Sequence, residues 1–324
     1  MENNSTTTYR ETYEELKQDF ATPLIELKVI SITELLQTEF KPHEFILGKW
    51  LATQSLSMIH AYRGVGKTFV ALNIAYAIAS GGSFLGWHAT KPRGVLYIDG
   101  EMPASALKER MSNIIVAAGK EPIAPLMFIT PDAQKFAMPD LSTEEGQAAI
   151  KPFITDEIDL IIIDNLSCLV RSGRENESES WKPIQEWALR LRAEGKSLLF
   201  IHHSGKTGKQ RGCSKREDVL DTVICLKRPE NCTSDKGACF EVEFEKARYL
   251  HGEDVALFEA QLITDENGLQ QWVTSPRKIT NFEKTVDLYN QGLSQKDIGK
   301  TLGIDKSVIS RNIHKAKELN KICT

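Results

Sequence analysis

Eight consecutive residues, Ala61-Tyr62-Arg63-Gly64-Val65-Gly66-Lys67-Thr68, combine side-chain types that suit a polyphosphate. Gly64 and Gly66 let the backbone turn its N–H groups onto an anion, and a helix starting directly afterwards adds its dipole. Lys67 has the reach for β- and γ-phosphate oxygens, and Thr68 offers a hydroxyl to an accompanying Mg2+. Arg63, Gly64, Val65, Gly66, Lys67, Thr68 and Phe69 are therefore the candidate nucleotide-binding residues, with ATP and Mg2+ as the expected ligands. Such chemistry also needs acids at strand ends. Leu160-Ile161-Ile162-Ile163-Asp164 is a continuous apolar run closed by a carboxylate, which makes Asp164 the expected Mg2+ partner through water. A second apolar run ends in Asp99-Gly100-Glu101. Hydrolysis requires a base or water-orienting group, and Glu101 has the longer reach for it, with Asp99 as the alternative. His202-His203 closes a further apolar run.

Positioning these groups calls for alternating strands and helices. Residues 55–62, 95–99, 126–130, 160–164 and 197–201 read as strands, and 67–80, 104–118 and 181–193 as helices. Strands apolar on both faces, separated by helices, give a mostly parallel sheet covered on both sides. Ligands gather at the carboxyl ends of strands in such folds. After residue 220 the pattern changes to strands at 222–226, 239–244, 255–262 and 271–274, with a hairpin signal at Asn267-Gly268. An antiparallel extension of the parallel sheet is the expectation. The fold class is thus α/β, with antiparallel strands toward the C-terminus and a small all-α appendage. The expected divisions are 1–44, an N-terminal tail and helical extension; 45–276, the α/β domain; and 277–324, the appendage.

The motif at 61–68 resembles a Walker A loop, with Ala61 standing where the full pattern has its first glycine, and 160–164 resembles a Walker B strand. Their order, with Asp99-Gly100-Glu101 between them and His202-His203 after them, resembles the RecA-like core of hexameric DNA helicases of the plasmid RepA type. DnaB and the KaiC- and RadA-like ATPases are more distant relatives of that group. The resemblance covers about residues 45–262. It implies that Glu101 is the catalytic carboxylate and that His202, with His203 as second choice, senses the γ-phosphate. It also gives a meaning to Lys246 and Arg248, two cations two residues apart at a strand end. In related ring ATPases such a pair reaches the γ-phosphate bound by the adjacent subunit, where a guanidinium stabilises the transferring phosphoryl group. A homo-oligomer, expected to be a hexameric ring, follows. The implied activity is ATP-dependent DNA helicase or translocase action in the replication of a plasmid, phage or mobile element, with a replication initiator or primase as further partners. A nucleotide-switched DNA-binding regulator and a recombination ATPase of the RadA or KaiC kind are the alternatives.

Two segments follow the strands near this site. Residues 204–217 hold Lys206, Lys209, Arg211, Lys215 and Arg216 among glycines, a cationic stretch without aromatics that suits a phosphate backbone of single-stranded DNA. Residues 170–180 carry Arg171 and Arg174 but several Glu, a weaker claim. From 293 to 317 the sequence resembles a helix-turn-helix. Ser294 can cap its first helix and Gly303 turn the chain, while Ile298, Leu302, Ile304, Val308, Ile309 and Ile313 make a small core. The second helix would present Lys306, Ser307, Ser310, Arg311, His314 and Lys315 to duplex DNA. Docking to a protein is the other use of such a module.

Composition sets bounds on all of this. Forty Lys plus Arg against 44 Asp plus Glu, net −4, exclude a global positive field, yet residues 280–324 hold eight basic and five acidic residues, net +3. Any nucleic-acid contact must therefore come from local clusters. No apolar run approaches the roughly 20 residues that span a bilayer, and the polar first eight residues lack a secretory h-region, so a cytoplasmic location is expected. Tyr9, Tyr13, Leu16 and Phe20 form a helical stripe in an otherwise polar segment, and 32–36 suggest a second short helix with Thr33 as a possible cap. Six cysteines in 324 residues make no disulfide scaffold, and Cys213, Cys225, Cys232 and Cys239 read as core or loop thiols because their spacing is too wide for zinc knuckles.

Overall fold

The computed structural model describes residues 29–171, 178–204, 218–229, 232, 237–277, 280–319 and 321–322. The chain divides into two compact units, residues 1–42 and 43–324. In the first, helix α1 (Ile32–Gln37) is solvent-exposed throughout. Its cap is Ser31 rather than Thr33, since the Ser31 hydroxyl accepts from the Glu34 amide while the Glu34 carboxylate accepts from the Ser31 amide. Thr33 lies inside the helix. The stripe from Tyr9 to Phe20 is outside the described residues.

The second unit is built on one nine-stranded sheet. Its elements in chain order are β1 (Phe45–Leu47), β2 (Leu51–Ala52), β3 (Leu56–Ala61), α2 (Lys67–Ser80), β4 (Ser83–Phe84), β5 (Trp87–His88), β6 (Gly94–Asp99), α3 (Ala104–Ala118) and β7 (Leu126–Ile129). Then come α4 (Glu144–Ile150), β8 (Ile158–Asp164), α5 (Leu166–Leu169), α6 (Ser178–Ala193), β9 (Ser197–His203), β10 (Thr222–Lys227), β11 (Cys239–Ala247), β12 (Phe258–Thr264) and β13 (Gln270–Pro276). Helices α7 (Asn281–Asn290), α8 (Gln295–Leu302) and α9 (Lys306–Glu318) end the chain. The sheet order is β13-β12-β11-β10-β3-β9-β8-β6-β7. From β10 to β7 every pairing is parallel, and β11, β12 and β13 add antiparallel strands at the β10 side. This is the expected α/β architecture with its antiparallel extension.

Alternation along the strands splits the core into two layers. One face packs Ile59, Tyr97, Ile162, Ile201 and Ile224 against α2 and α3. The other packs Met58, Ile98, Ile163, Phe200 and Val223 against α5 and α6. Helix α2 is apolar nearly all round because it lies wedged between the sheet and α3. Both of its ends are set by glycines in the left-handed region, Gly66 (φ 118°) and Gly81 (φ 63°).

Several short elements escape sequence patterning. The β1–β2 and β4–β5 pairs are too short to show alternation, and α4 has few apolar residues. Val255 belongs to a 3-10 turn, Gly252–Val255, so β12 begins only at Phe258. In the C-terminal helices Ser294 accepts from the Asp297 amide and Gly303 closes α8 with φ 65°, both as anticipated. Ile298, Ile309 and Ile313 are buried, with Leu288, Tyr289, Leu293, Leu302, Ile304 and Ile322 packed around them. Val308 is only half-buried and lies outside this core. Arg277 ties the sheet to the helices, donating to Glu241 of β11 (2.9 Å) and Glu283 of α7 (2.6 Å).

Candidate functional site

Strands β3, β6, β8 and β9 all end at one edge of the sheet, and the loops leaving them converge on a cleft of about 640 Å3. Its walls are Arg63, Gly64, Gly66, Lys67, Thr68, Phe69, Asp99, Glu101, Met102, Pro103, Arg110, Asp164, Asn165 and His203. Gly64 and Gly66 take φ of 77° and 118°, conformations that side chains disfavour, and a Cβ on Gly66 would also press on Ala238 at 3.2 Å. The α2 N-terminus carries no side-chain cap and no acid in its first turn. Its amides and dipole are thus open to an anion. Lys67 donates to the carbonyls of Ala61 (3.0 Å) and Tyr62 (3.2 Å), folding across the loop. Burial lowers its ammonium to about 8, against the opposing attraction of Asp164 and Glu101.

Val65 holds this loop in place through its side chain. It is 3% exposed and packs into the core, so the cleft is lined by its neighbours on either side. The middle residue of the loop anchors it while the glycines line the cleft.

The acids meet as the register requires. Asp99 and Asp164 are direct partners across β6–β8. Asp164 is buried, accepts from the Tyr97 hydroxyl at 2.7 Å and is hydrogen-bonded by Thr68. Burial raises its carboxyl above the ordinary range. Thr68 and Asp164 thus sit together, where the pair could hold a Mg2+ ion. Asp99, raised by burial to about 6, accepts from the amides of Glu101 and Met102 (3.1–3.3 Å) and from Thr130 (3.4 Å). Its oxygens are spent on shaping the turn after β6. That turn delivers Glu101, whose side chain remains 64% exposed. The Glu101 carboxylate accepts from Asn165 Nδ2 at 2.6 Å and lies 3.9 Å from His203 Nε2. Asn165 also caps α5 through the Cys168 amide, so one side chain fixes both the helix and the acid.

The histidine assignment needs correction. His202 is 1% exposed and does not line the cleft; His203 does. Strand alternation is the reason, since His203 shares the face of Ile201, toward α2, while His202 shares that of Phe200. Counting from the apolar partners would have found it. Arg110 and Asn165 were missed. Arg110 stacks on the Phe69 ring, 4.2 Å from its centroid, and nothing in its local sequence marks it because α3 brings it there. Asn165 could have been read from its cap position after Asp164.

Lys246 and Arg248 lie elsewhere. Ala247 pairs with Thr222, which pairs with Ser57 at the start of β3, so these cations stand at the sheet end opposite their own P loop. Both donate to the Asp218 carbonyl, at 3.3 and 3.1 Å, and Arg248 also pairs with the buried Asp221. Lys206, Lys209, Arg211, Lys215 and Arg216 fall outside the described residues, as does Arg174. Arg171 is anchored to the Met138 carbonyl and Asp140. On α9, Lys306, Ser307, Ser310, Arg311, His314 and Lys315 are all exposed.

A P loop, a strand-end acid beside its threonine and a carboxylate one strand over, at one edge of a mostly parallel sheet, define a P-loop nucleotide-binding fold. The chain belongs to the AAA domain family, whose profile matches residues 21–209. A search of curated proteins found no match. Solved structures similar to it include the RadB recombinase, with 13% identity and a TM-score of 0.47 over 70% of this chain and 92% of that one. The flagellar accessory protein FlaH of Methanocaldococcus jannaschii has 12% identity and a TM-score of 0.45, covering 69% and 91%. A KaiC-like protein of Pyrococcus horikoshii OT3 has 15% identity and a TM-score of 0.45, covering 69% and 90%.

Proposed function

We propose that this ATPase is a ring-forming DNA motor, a helicase or translocase serving the replication of a plasmid, phage or other mobile element. The observation that carries the reading is the position of His203. It lies 3.9 Å from Glu101 in the nucleotide cleft and only three residues ahead of Lys206, the first cation of the basic segment. A change at the γ-phosphate felt by Glu101 and His203 therefore has a direct covalent path to groups suited to a DNA backbone. In this reading Lys67 and Thr68 hold the phosphates and Mg2+, Asp164 supports the metal, and Glu101 orients the attacking water. Lys246 and Arg248, remote from their own cleft, complete the site of a neighbouring subunit.

The C-terminal helices act as a helix-turn-helix that positions the motor on duplex DNA. Their exposed cationic face on α9 also supports a second reading, a nucleotide-switched duplex binder, and a recombination ATPase shares the same core. Steady-state ATP hydrolysis with and without single-stranded DNA separates them. The motor requires strong stimulation, followed by ATP-dependent unwinding or translocation. Slow turnover indifferent to single strands, with tight sequence-specific duplex binding, would replace it by the regulator.

A further inference from the structure

A row of polar side chains crosses the sheet on the face away from α2. His202 of β9 pairs directly with His60 of β3, and His60 with Cys225 of β10. All three are at most 2% exposed. Alternation places them on the face of Phe200, Met58 and Val223. Glu245 of β11 joins the row through a break in register. Ile224 stands opposite Phe244, but Val223 stands opposite Lys246, which leaves Glu245 as the extra residue of a bulge. A bulge re-aims a side chain, and here it brings Glu245 Oε2 to 2.8 Å from His60 Nε2. The nitrogen of His60, the sulfur of Cys225 and an oxygen of Glu245 all lie within 4.8 Å of one another.

We propose that His60, Cys225 and Glu245 form a divalent transition-metal site, with zinc the ion their donors fit best. One imidazole, one thiolate and one carboxylate make a borderline-soft donor set of the kind zinc takes. Zinc bonds of about 2.0–2.3 Å arranged tetrahedrally separate donors by about 3.5 Å, so small rotations of three side chains close the present triangle. The second shell is in place, because His60 Nδ1 lies 2.8 Å from the Ser204 hydroxyl. With its proton on Nδ1, donated to Ser204, the ring presents Nε2 as a lone-pair donor. A cavity of about 230 Å3 bordered by Ser204, Cys225 and Lys227 lies beside the thiol. Binding releases the thiol proton to solvent, and thiolate and carboxylate then balance the charge of the ion. The three ligands come from the strand that ends in the P loop and from the next two strands of the sheet. The ion would brace the sheet beneath the nucleotide site, and this inference stands apart from any motor activity.

The test uses the full chain, freed of metal with a chelator and titrated with Co2+. One equivalent should bind with a near-ultraviolet thiolate-to-cobalt charge-transfer band, and Zn2+ should displace it. Cys225→Ser should abolish the band while Cys232→Ser leaves it. Glu245→Gln, which keeps the size of a partly exposed side chain, should weaken Co2+ binding by at least about tenfold with the thermal transition retained. If Cys225→Ser does not fold, Glu245→Gln alone decides. Absence of the band, or a band whose affinity is unchanged in Glu245→Gln, overturns the site.

Discussion

The charges of Lys67 and Asp99 are expected to bound the pH range of hydrolysis. Asp99, raised to about 6, loses its negative charge as pH falls through that value, which weakens its hold on the Glu101 and Met102 amides. Lys67, lowered to about 8, loses its positive charge as pH rises through that value, weakening its hold on phosphate. The free enzyme's kcat/KM for ATP is therefore expected to be bell-shaped, with limbs near 6 and 8 and the acid limb removed by Asp99→Asn. A profile flat across both values would discard the assignment. Glu101→Gln should lower turnover by about 10²–10⁴-fold while nucleotide binding, measured by titration with a fluorescent analogue, is retained. The histidine pair offers a sharper contrast. His203→Ala should lower DNA-stimulated hydrolysis, whereas His202→Ala, buried on the other face, should lower thermal stability before it alters coupling.

At the scale of elements, the C-terminal helices form a small body fastened through Arg277, whose guanidinium bridges Glu241 and Glu283. Helix α9 turns its buried stripe, Ile309, Ile313 and Ala316, inward and leaves its cations exposed. Removing Lys306 and Arg311 together should weaken duplex binding and reduce the slope of log K against log salt by about 2, one for each phosphate left without its cation. An unchanged slope would assign the face to a protein partner. The core of this body is thin. Ile309→Ala should cost about 2–5 kcal/mol of its stability, read as a separate low-temperature transition or as a failure to bind DNA with basal hydrolysis intact.

For the whole molecule, the placement of Lys246 and Arg248 at the sheet end away from their own P loop makes assembly the central question. If they serve a neighbour, specific activity should rise with protein concentration. Lys67→Ala and Arg248→Ala should each be inactive alone, yet a mixture should recover activity, because some interfaces then pair an intact P loop with an intact finger. Failure of the mixture to recover, with both variants folded, would confine Arg248 to its bonds with Asp218 and Asp221.

The local chemistry was legible in the sequence. The P loop, the acids Asp99, Glu101 and Asp164, the alternating strands and helices, and the caps Ser294 and Gly303 are written in residue types over short spans, where backbone sterics and periodicity act directly. What escaped depends on which face a side chain takes and on what distant segments bring beside it. His203 rather than His202 faces the cleft because the register of β9 on β3 fixes the parity of the strand. Val65 turns inward onto the core beneath the loop. Arg110 and Asn165 reach the cleft from a helix and a cap, and the cysteine at 225 gains a histidine 165 positions earlier and, through a bulge, a glutamate 20 positions later. Spacing along the chain determines which groups are present and which secondary structure carries them. Only the pairing of strands decides which of them meet, because side chains alternate at every residue and a single step of register exchanges one face for the other.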